Sequence, residues 1–308
     1  MPCYHPLEAW RSEFGGRLVF DRDKGVGQSL SIPCGQCIGC RLDRSLEWAV
    51  RISNEASLYD KNCFITLTYS PEHLPYSGSL ILSDFQNFMK RLRKRFPLSS
   101  IRFFHCGEYG ETTGRPHYHA CLMNFDFPDK EYLRSSPRGD LLYTSKILGE
   151  LWPFGLHEIG SVTFDSAAYV ARYITKKVTG KLAKDHYTRV SCETGEIFEL
   201  KPEYTTMSRR PGIGAPWLEK YHKDVYPHDE VILRSGAKIP PPRFFDSRYE
   251  LMYPTEFAEI KEKRDFSAAN MPGTSEYRKK LLENSEKRLK VRETVHKARV
   301  SQLKRSVE

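Results

Sequence analysis

The order of hydrophobic periods between residues 63 and 179 constrains the fold of this chain more than any other feature. Cys63-Phe64-Ile65-Thr66-Leu67-Thr68-Tyr69 is rich in β-formers, closes on Ser70-Pro71 and reads as a strand. Ser83, with Gln86 three residues on, is a capping-box start for a helix running to Phe96. Its apolar stripe is Phe85, Phe88, Met89, Leu92 and Phe96. Residues 101–108 and 117–125 read as paired strands, with the glycines at 107, 110 and 114 forming a loop between them. Residues 143–152 read as a short helix and 156–163 as a strand, and Asp165 is placed to cap the helix that follows. The order β-α-β-β-α-β-α predicts an α+β fold, a ferredoxin-like split βαβ core with an antiparallel sheet. That plan leaves one sheet face open for a later helix to cross.

Gly114-Arg115-Pro116-His117-Tyr118-His119-Ala120-Cys121 carries two histidines one residue apart on a predicted strand. Strand side chains alternate, so His117 and His119 share a face and Tyr118 takes the other. Two imidazoles on one face lie within reach of one cation. They rarely define a catalytic metal site alone, and the neighbouring strand offers Glu108 as a third ligand, with Glu111 as runner-up. About fifty residues on, Ala168-Tyr169-Val170-Ala171-Arg172-Tyr173-Ile174-Thr175-Lys176-Lys177 places two tyrosines at i and i+4. On a helix their Cβ atoms would stand roughly 6 Å apart. Aromatic residues at that spacing are usually core, but Val170 and Ile174 supply a separate apolar row. A phenol, with a pKa near 10, needs a metal or a cation to act as nucleophile. Lys176 or Lys177 suits a role in holding a phosphate or a developing phenolate.

The formal net charge is +9, which favours an acidic partner. Residues 276–305 hold 11 Lys/Arg against 4 Asp/Glu, leaving 37 against 35 for the rest of the chain. That stretch has neither Gly nor Pro, so a long solvated helix that binds DNA without sequence preference is expected there. Leu282, Leu289 and Leu303 share a heptad row, but His296 interrupts it and a coiled coil is not favoured. Lys90-Arg91-Leu92-Arg93-Lys94-Arg95 is either a solvated helix face or a phosphate-binding one. Residues 1–40 are rich in turn formers, 41–59 read as a helix, and 181–250 are mixed in pattern.

Cys34-x-x-Cys37-x-x-Cys40 packs three thiols into one short run, and Cys3 or His5 would complete a tetrahedral structural Zn²⁺ site; the alternative is reduced, unligated thiols. Arg44-Ser45 stand where a bacterial ferredoxin would have its fourth Cys and Pro, which argues against an iron–sulfur cluster. Cys63, Cys106, Cys121 and Cys192 are expected to be buried or incidental. No apolar run reaches the roughly 18 residues a membrane span needs, and the N-terminus lacks the features of a signal peptide. The expectation is a soluble intracellular protein with no membrane partner.

Three motifs then stand in order: Phe64-Ile65-Thr66-Leu67-Thr68, Pro116-His117-Tyr118-His119, and Tyr169 to Lys177. Together they resemble the HUH endonuclease superfamily. Within it, the chain resembles the rolling-circle replication initiation proteins of small single-stranded DNA phages, the gokushovirus-like Microviridae. The Cys34-Cys37-Cys40 run after a Met-Pro-Cys start extends that resemblance towards the N-terminus.

The resemblance implies Mg²⁺ or Mn²⁺ held by His117, His119 and Glu108, with Tyr169 or Tyr173 attacking the origin strand. The product would be a 5′-phosphotyrosine and a free 3′-OH, and the second tyrosine would serve in rejoining the ends. The implied partners are single-stranded and double-stranded phage origin DNA, contacted through Thr66, Thr68, Arg91, Arg93, Lys94 and Arg95, together with the host polymerase. No Gly-x-x-x-x-Gly-Lys-Ser/Thr loop is present, so a host helicase is implied as well. The site of action would be the host cell cytoplasm. The expected organisation is a Cys-rich region at 1–60, the catalytic core at 61–180, an accessory region at 181–254 and a basic helical tail at 255–308. Two other readings remain open: a binding module like the RNA-recognition domains, which share the split βαβ plan, and a metal-dependent nuclease that uses water.

Overall fold

The chain forms a mixed α+β structure with antiparallel sheets. The computed structural model describes residues 3–110, 113–137, 139–172, 177–178, 180, 183–190, 194–233, 235–269 and 282–301. In chain order the first elements are β1 (Leu7–Ser12), β2 (Leu18–Val19), β3 (Gly25–Ile32), α1 (Ile38–Ala56), β4 (Asn62–Tyr69), α2 (Leu82–Arg95), β5 (Arg102–Tyr109) and β6 (Pro116–Met123). Next come β7 (Glu131–Ser135), β8 (Leu141–Thr144), α3 (Lys146–Leu151), β9 (Gly155–Gly160), α4 (Phe164–Arg172), α5 (Ala183–Tyr187), β10 (Thr188–Val190) and β11 (Ile197–Glu199). The last are β12 (Tyr204–Met207), α6 (Ala215–Val225), β13 (Val231–Ile232), β14 (Lys238–Ile239), α7 (Arg243–Met252), α8 (Pro254–Ala269) and α9 (Glu286–Ser301). The described residues divide into two compact units, a larger one over 45–258 and a smaller one over 3–44 with 259–269 and 282–301.

The larger unit is built on a seven-stranded antiparallel sheet in the order β12-β5-β6-β4-β9-β8-β7. Alternation along β4 sends Cys63, Ile65, Leu67 and Tyr69 to one face, where they pack with Tyr118, Ala120 and Leu122 of β6. The α2 stripe of Phe85, Phe88, Met89 and Leu92 and the α3 residues Leu148 and Leu151 cover that face. Burying each such large side chain contributes about 1.5–3 kcal/mol. The other face carries Phe64, Phe104, Cys106, Cys121 and Met123, packed against Ala49, Ile52 and Ala56 of α1 and Ala167 and Val170 of α4. A later helix was expected to cross this face. That α1 shares it was not readable, because its partners Phe104 and Cys121 lie far along the chain. At the β4–β9 junction, a Cβ on Gly155 would lie 2.2 Å from the Ser70 nitrogen, so only glycine lets the strands approach there.

Several local expectations are corrected. Ser83 does not cap α2: the helix starts at Leu82 after Ile81, with no side-chain cap. Tyr143 lies in strand β8 and not in a helix, and Ser145 caps α3 by accepting from the Leu148 amide. At α4 the capping belongs to Thr163, whose hydroxyl accepts from the Ser166 amide at 3.1 Å while Ser166 Oγ accepts from the Thr163 amide at 2.8 Å. Asp165 sits in the first turn, where its charge suits the helix dipole. The mixed 181–250 stretch supplies the edge strand β12, paired to β5 with Thr206 opposite His105.

In the smaller unit the turn-rich N-terminal stretch is a three-stranded sheet, β2-β1-β3. Leu7 pairs with Ile32, so the residues just before β1 meet those just after β3. Cys3 and Tyr4 thereby reach Cys34 and Cys37, and Leu289 of α9 packs with them. The expected helix over 41–59 begins earlier, at Ile38, and takes Cys40 into its first turn.

Candidate active site

His117 and His119 alternate along β6, and each has a neighbour on both flanking strands. His117 lies opposite Thr68 of β4 and Glu108 of β5, and His119 lies opposite Thr66 and Cys106. Thr68 Oγ1 is 3.0 Å from His117 Nδ1, and Thr66 Oγ1 is 3.0 Å from His119 Nδ1. These contacts engage each ring at Nδ1, so Nε2 is the nitrogen that would bind a cation. Thr66 and Thr68, expected to touch DNA, thus orient the two imidazoles.

His119 Nε2 lies 2.8 Å from Glu108 Oε1, with side chains 3% and 4% exposed. The two groups hydrogen-bond directly, and a cation replacing the shared proton would meet both, because ligands on one octahedral ion stand about 3 Å apart. His117 is half-buried, and its ring centroid is 6.5 Å from that of His119. Two imidazoles and a carboxylate form a donor set that suits a divalent ion, and the imidazoles favour Mn²⁺ over Mg²⁺.

The helix α4 faces the sheet with Ala167, Val170 and Ala171, all buried. Tyr169 is left half-buried, its ring edge-on to His119 at a centroid distance of 5.3 Å and an angle of 87°. Phe64 stacks on His119 at 5.7 Å and meets Tyr169 edge-on at 6.3 Å. Ser45 Oγ donates to the Ala168 carbonyl at 3.3 Å, tying α4 to α1. The structure therefore gathers Glu108, His117, His119 and Tyr169. Glu111, Tyr173 and Lys176 lie outside the described residues, and Lys177 is exposed beyond the end of α4.

Tyr118 points to the opposite face, as strand alternation requires. Its hydroxyl is 2.9 Å from that of Tyr69 and accepts from the Ile81 amide at 2.8 Å. Burial pushes its pKa up to about 12, so this phenol is a poor nucleophile. Burial also drives His105, on the same side, well below the usual histidine range and keeps it neutral.

Two further features escaped the sequence. A Cβ on Gly110 would stand 2.8 Å from His117 Nε2, so this glycine makes room for the ring. Arg189 donates to the Gly114 carbonyl at 3.2 Å and lies over the Tyr109 ring, putting a cation beside the loop that leads into β6. The glycine-rich loop and the Thr-x-Thr alternation were visible signals. Arg189 had none, lying 75 residues from its partner.

The basic run of α2 lies on a helix that packs on the face opposite the histidines. Arg91 donates twice to the Leu151 carbonyl, at 3.0 and 2.8 Å, and Arg93 to the Ile101 carbonyl at 3.3 Å. Arg95 pairs with Glu150 at 3.8 Å, and Lys94 is exposed. Elsewhere, the Sγ atoms of Cys3, Cys34, Cys37 and Cys40 all lie within 4.8 Å of one another. His5 is not among them, its Nε2 being 2.8 Å from Glu293 Oε2. Cys63, Cys106 and Cys121 are buried and in no disulfide, and Cys192 lies outside the described residues. Among the described residues no helix is long and apolar enough to cross a membrane.

The chain has relatives among known proteins. Residues 62–178, which hold the four central strands and α4, match the family described as replication-associated protein ORF2/G2P. The chain is similar to replication-associated protein VP4 of Bdellovibrio phage phiMH2K, 35% identical over 272 residues that cover 85% of this chain and 82% of that protein. It is 35% identical over 289 residues to replication-associated protein ORF2 of Spiroplasma virus 4, covering 86% of each. A shorter match, 36% identical over 159 residues, joins it to replication-associated protein ORF4 of Chlamydia phage 1 and covers 48% of this chain and 39% of that protein. The chain belongs to the replication-associated proteins of small single-stranded DNA phages. No solved structure matches it.

Proposed function

We propose that the protein initiates rolling-circle replication by nicking phage origin DNA with a tyrosine and later rejoining the ends. The observation that carries this reading is the meeting of Tyr169 with the Glu108–His117–His119 set on one sheet face. The strand order β5-β6-β4-β9, with connections through α2 and α3, supports a ferredoxin-like core of the HUH kind. Glu108, His117 and His119 would hold one Mg²⁺ or Mn²⁺. When bound, the ion polarises a non-bridging phosphate oxygen and orients the scissile phosphate.

Thr66 and Thr68 hold both imidazoles at Nδ1, and Phe64 and the wall of α4 exclude water beside His119. The phenol oxygen of Tyr169, or of Tyr173, forms a bond to phosphorus as the bond from phosphorus to the 3′ oxygen breaks. The phenol proton passes to solvent, and the departing oxygen gains one to become a 3′-OH for the host polymerase. Lys176 and Lys177 are assigned to the scissile phosphate and the developing phenolate. Because one phosphodiester replaces another, the reverse step rejoins the strand without ATP. A host helicase opens the duplex, and the reaction runs in the host cell cytoplasm.

The test uses a single-stranded oligonucleotide carrying the phage origin, labelled at its 3′ end and incubated with Mn²⁺. Label should migrate with the protein on a denaturing gel for wild type. It should be lost in His117→Ala and in the Tyr169→Phe/Tyr173→Phe double variant, while the single tyrosine variants show which phenol attacks first. Cleavage with no label on the protein would sink the transesterification and leave hydrolysis by water.

A further inference from the structure

We propose that Cys3, Cys34, Cys37 and Cys40 bind one structural Zn²⁺, which fastens the start of the chain to the first turn of α1. This site lies in the smaller unit and is independent of the nuclease reading.

The spacing argues for a single ion. Four sulfurs around one Zn²⁺ with bonds of about 2.3 Å stand about 3.8 Å apart. The Sγ atoms of Cys3 and Cys37 are 3.9 Å apart, and all four lie within 4.8 Å of one another. A disulfide would need about 2.05 Å, and all four cysteines are free thiols. A multi-iron cluster spreads its thiolates across metal–metal edges and would hold them further apart. With four protein ligands no coordination position is left open, so the site is structural rather than catalytic.

The surroundings suit a cluster of thiolates. The Tyr4 amide donates to Cys37 Sγ at 3.3 Å and the Cys34 amide to Cys3 Sγ at 3.2 Å. Gln36 and Cys37 amides donate to Cys34 Sγ at 3.4 and 3.3 Å. Backbone N–H groups aimed at sulfur stabilise the negative charge that four thiolates leave around a divalent ion. Ile38 and Leu289 supply an apolar seat. On its outer side the N-terminal strap is pinned to α9, with Tyr4 Oη 2.7 Å from His296 Nδ1 and His5 bound to Glu293.

The unit also needs such a fastening. Among its described residues the buried apolar side chains are Tyr4, Ala9, Cys37, Ile260 and Leu289, while Phe14, Leu18 and Phe20 are exposed. A core this small does not offset the entropy of ordering a three-stranded sheet, and metal binding then becomes folding free energy.

The full-length protein, purified without chelator, should carry one zinc per chain. Grown with cobalt instead, it should show the visible bands of tetrahedral cobalt bound by thiolates, and a mercurial should release the zinc as the four thiols react. Cys37→Ser and Cys40→Ser should lose the metal and melt at a lower temperature. His5→Ala and His117→Ala should each keep one zinc per chain and the cobalt spectrum. Should the cysteine variants fail to fold, the cobalt spectrum and mercurial titration of wild type decide. Iron in place of zinc, a chain that binds neither zinc nor cobalt, or loss of the thiolate bands in His5→Ala would overturn the proposal.

Discussion

A Cβ on Gly110 would come 2.8 Å from His117 Nε2, closer than real Cβ contacts allow. Gly110→Ala should therefore displace the His117 ring on the face it shares with His119 and Glu108. A shift of about 1 Å in a catalytic group costs roughly 10²-fold in rate. Nicking of the origin oligonucleotide by Gly110→Ala should fall by about that factor, with DNA affinity in the absence of metal unchanged; wild-type nicking would remove Gly110 from the site. The histidine pair and its opposition to Tyr118 were legible because strand side chains alternate with a period of two. That Tyr169 stands against His119 was not, because it depends on how α4 packs through Ala167 and Val170 on Phe64 and its neighbours. The threonines were visible as a motif, and only the β4–β6 register gave them their orienting role.

Between elements, a buried polar tie in the larger unit joins α1, β5 and the loop before α6. Arg102 pairs with Glu55 in the interior, their side chains 10% and 0% exposed. Arg102 also donates to the Pro211 carbonyl at 2.9 Å, and Arg51 donates to the Ile213 carbonyl at 2.9 Å. Removing one partner of such a pair strands a charge away from water and costs about 3–5 kcal/mol. Glu55→Gln should lower unfolding stability in urea by about that amount, and adding Arg102→Met should recover most of the loss; a change below about 0.5 kcal/mol in the single variant would show that the pair is dispensable. Helices with a clear stripe, such as α2, were readable. Short elements were not: four residues of β8 before α3 look the same as a helix start until Tyr143 pairs with Ile159 across the sheet.

For the whole molecule the question is how charge is distributed. In α9, Glu286 pairs with Lys290 at 2.7 Å and Glu293 with Lys297 at 3.0 Å, while Lys287 and Arg299 are exposed. Single-stranded DNA releases counterions as such groups meet phosphates, with a log–log salt slope of about 0.7 per contact. A Lys287→Ala/Arg299→Ala variant should bind single-stranded DNA more weakly, with a salt slope shallower by about 1.4 by the same measure. An unchanged slope in a salt titration would place both residues away from the DNA. The sequence by itself determined the class of the fold, the shared face of the two histidines, the candidate nucleophiles and the cysteine run, because strand and helix periods and local spacing are written in neighbouring residues. The tertiary structure alone decided that Cys3 rather than His5 joins Cys34, Cys37 and Cys40, that Arg91 caps α3, and that Glu108 and Tyr169 close on His119. Each of those contacts joins segments whose approach depends on strand register and helix packing, and no local pattern encodes either.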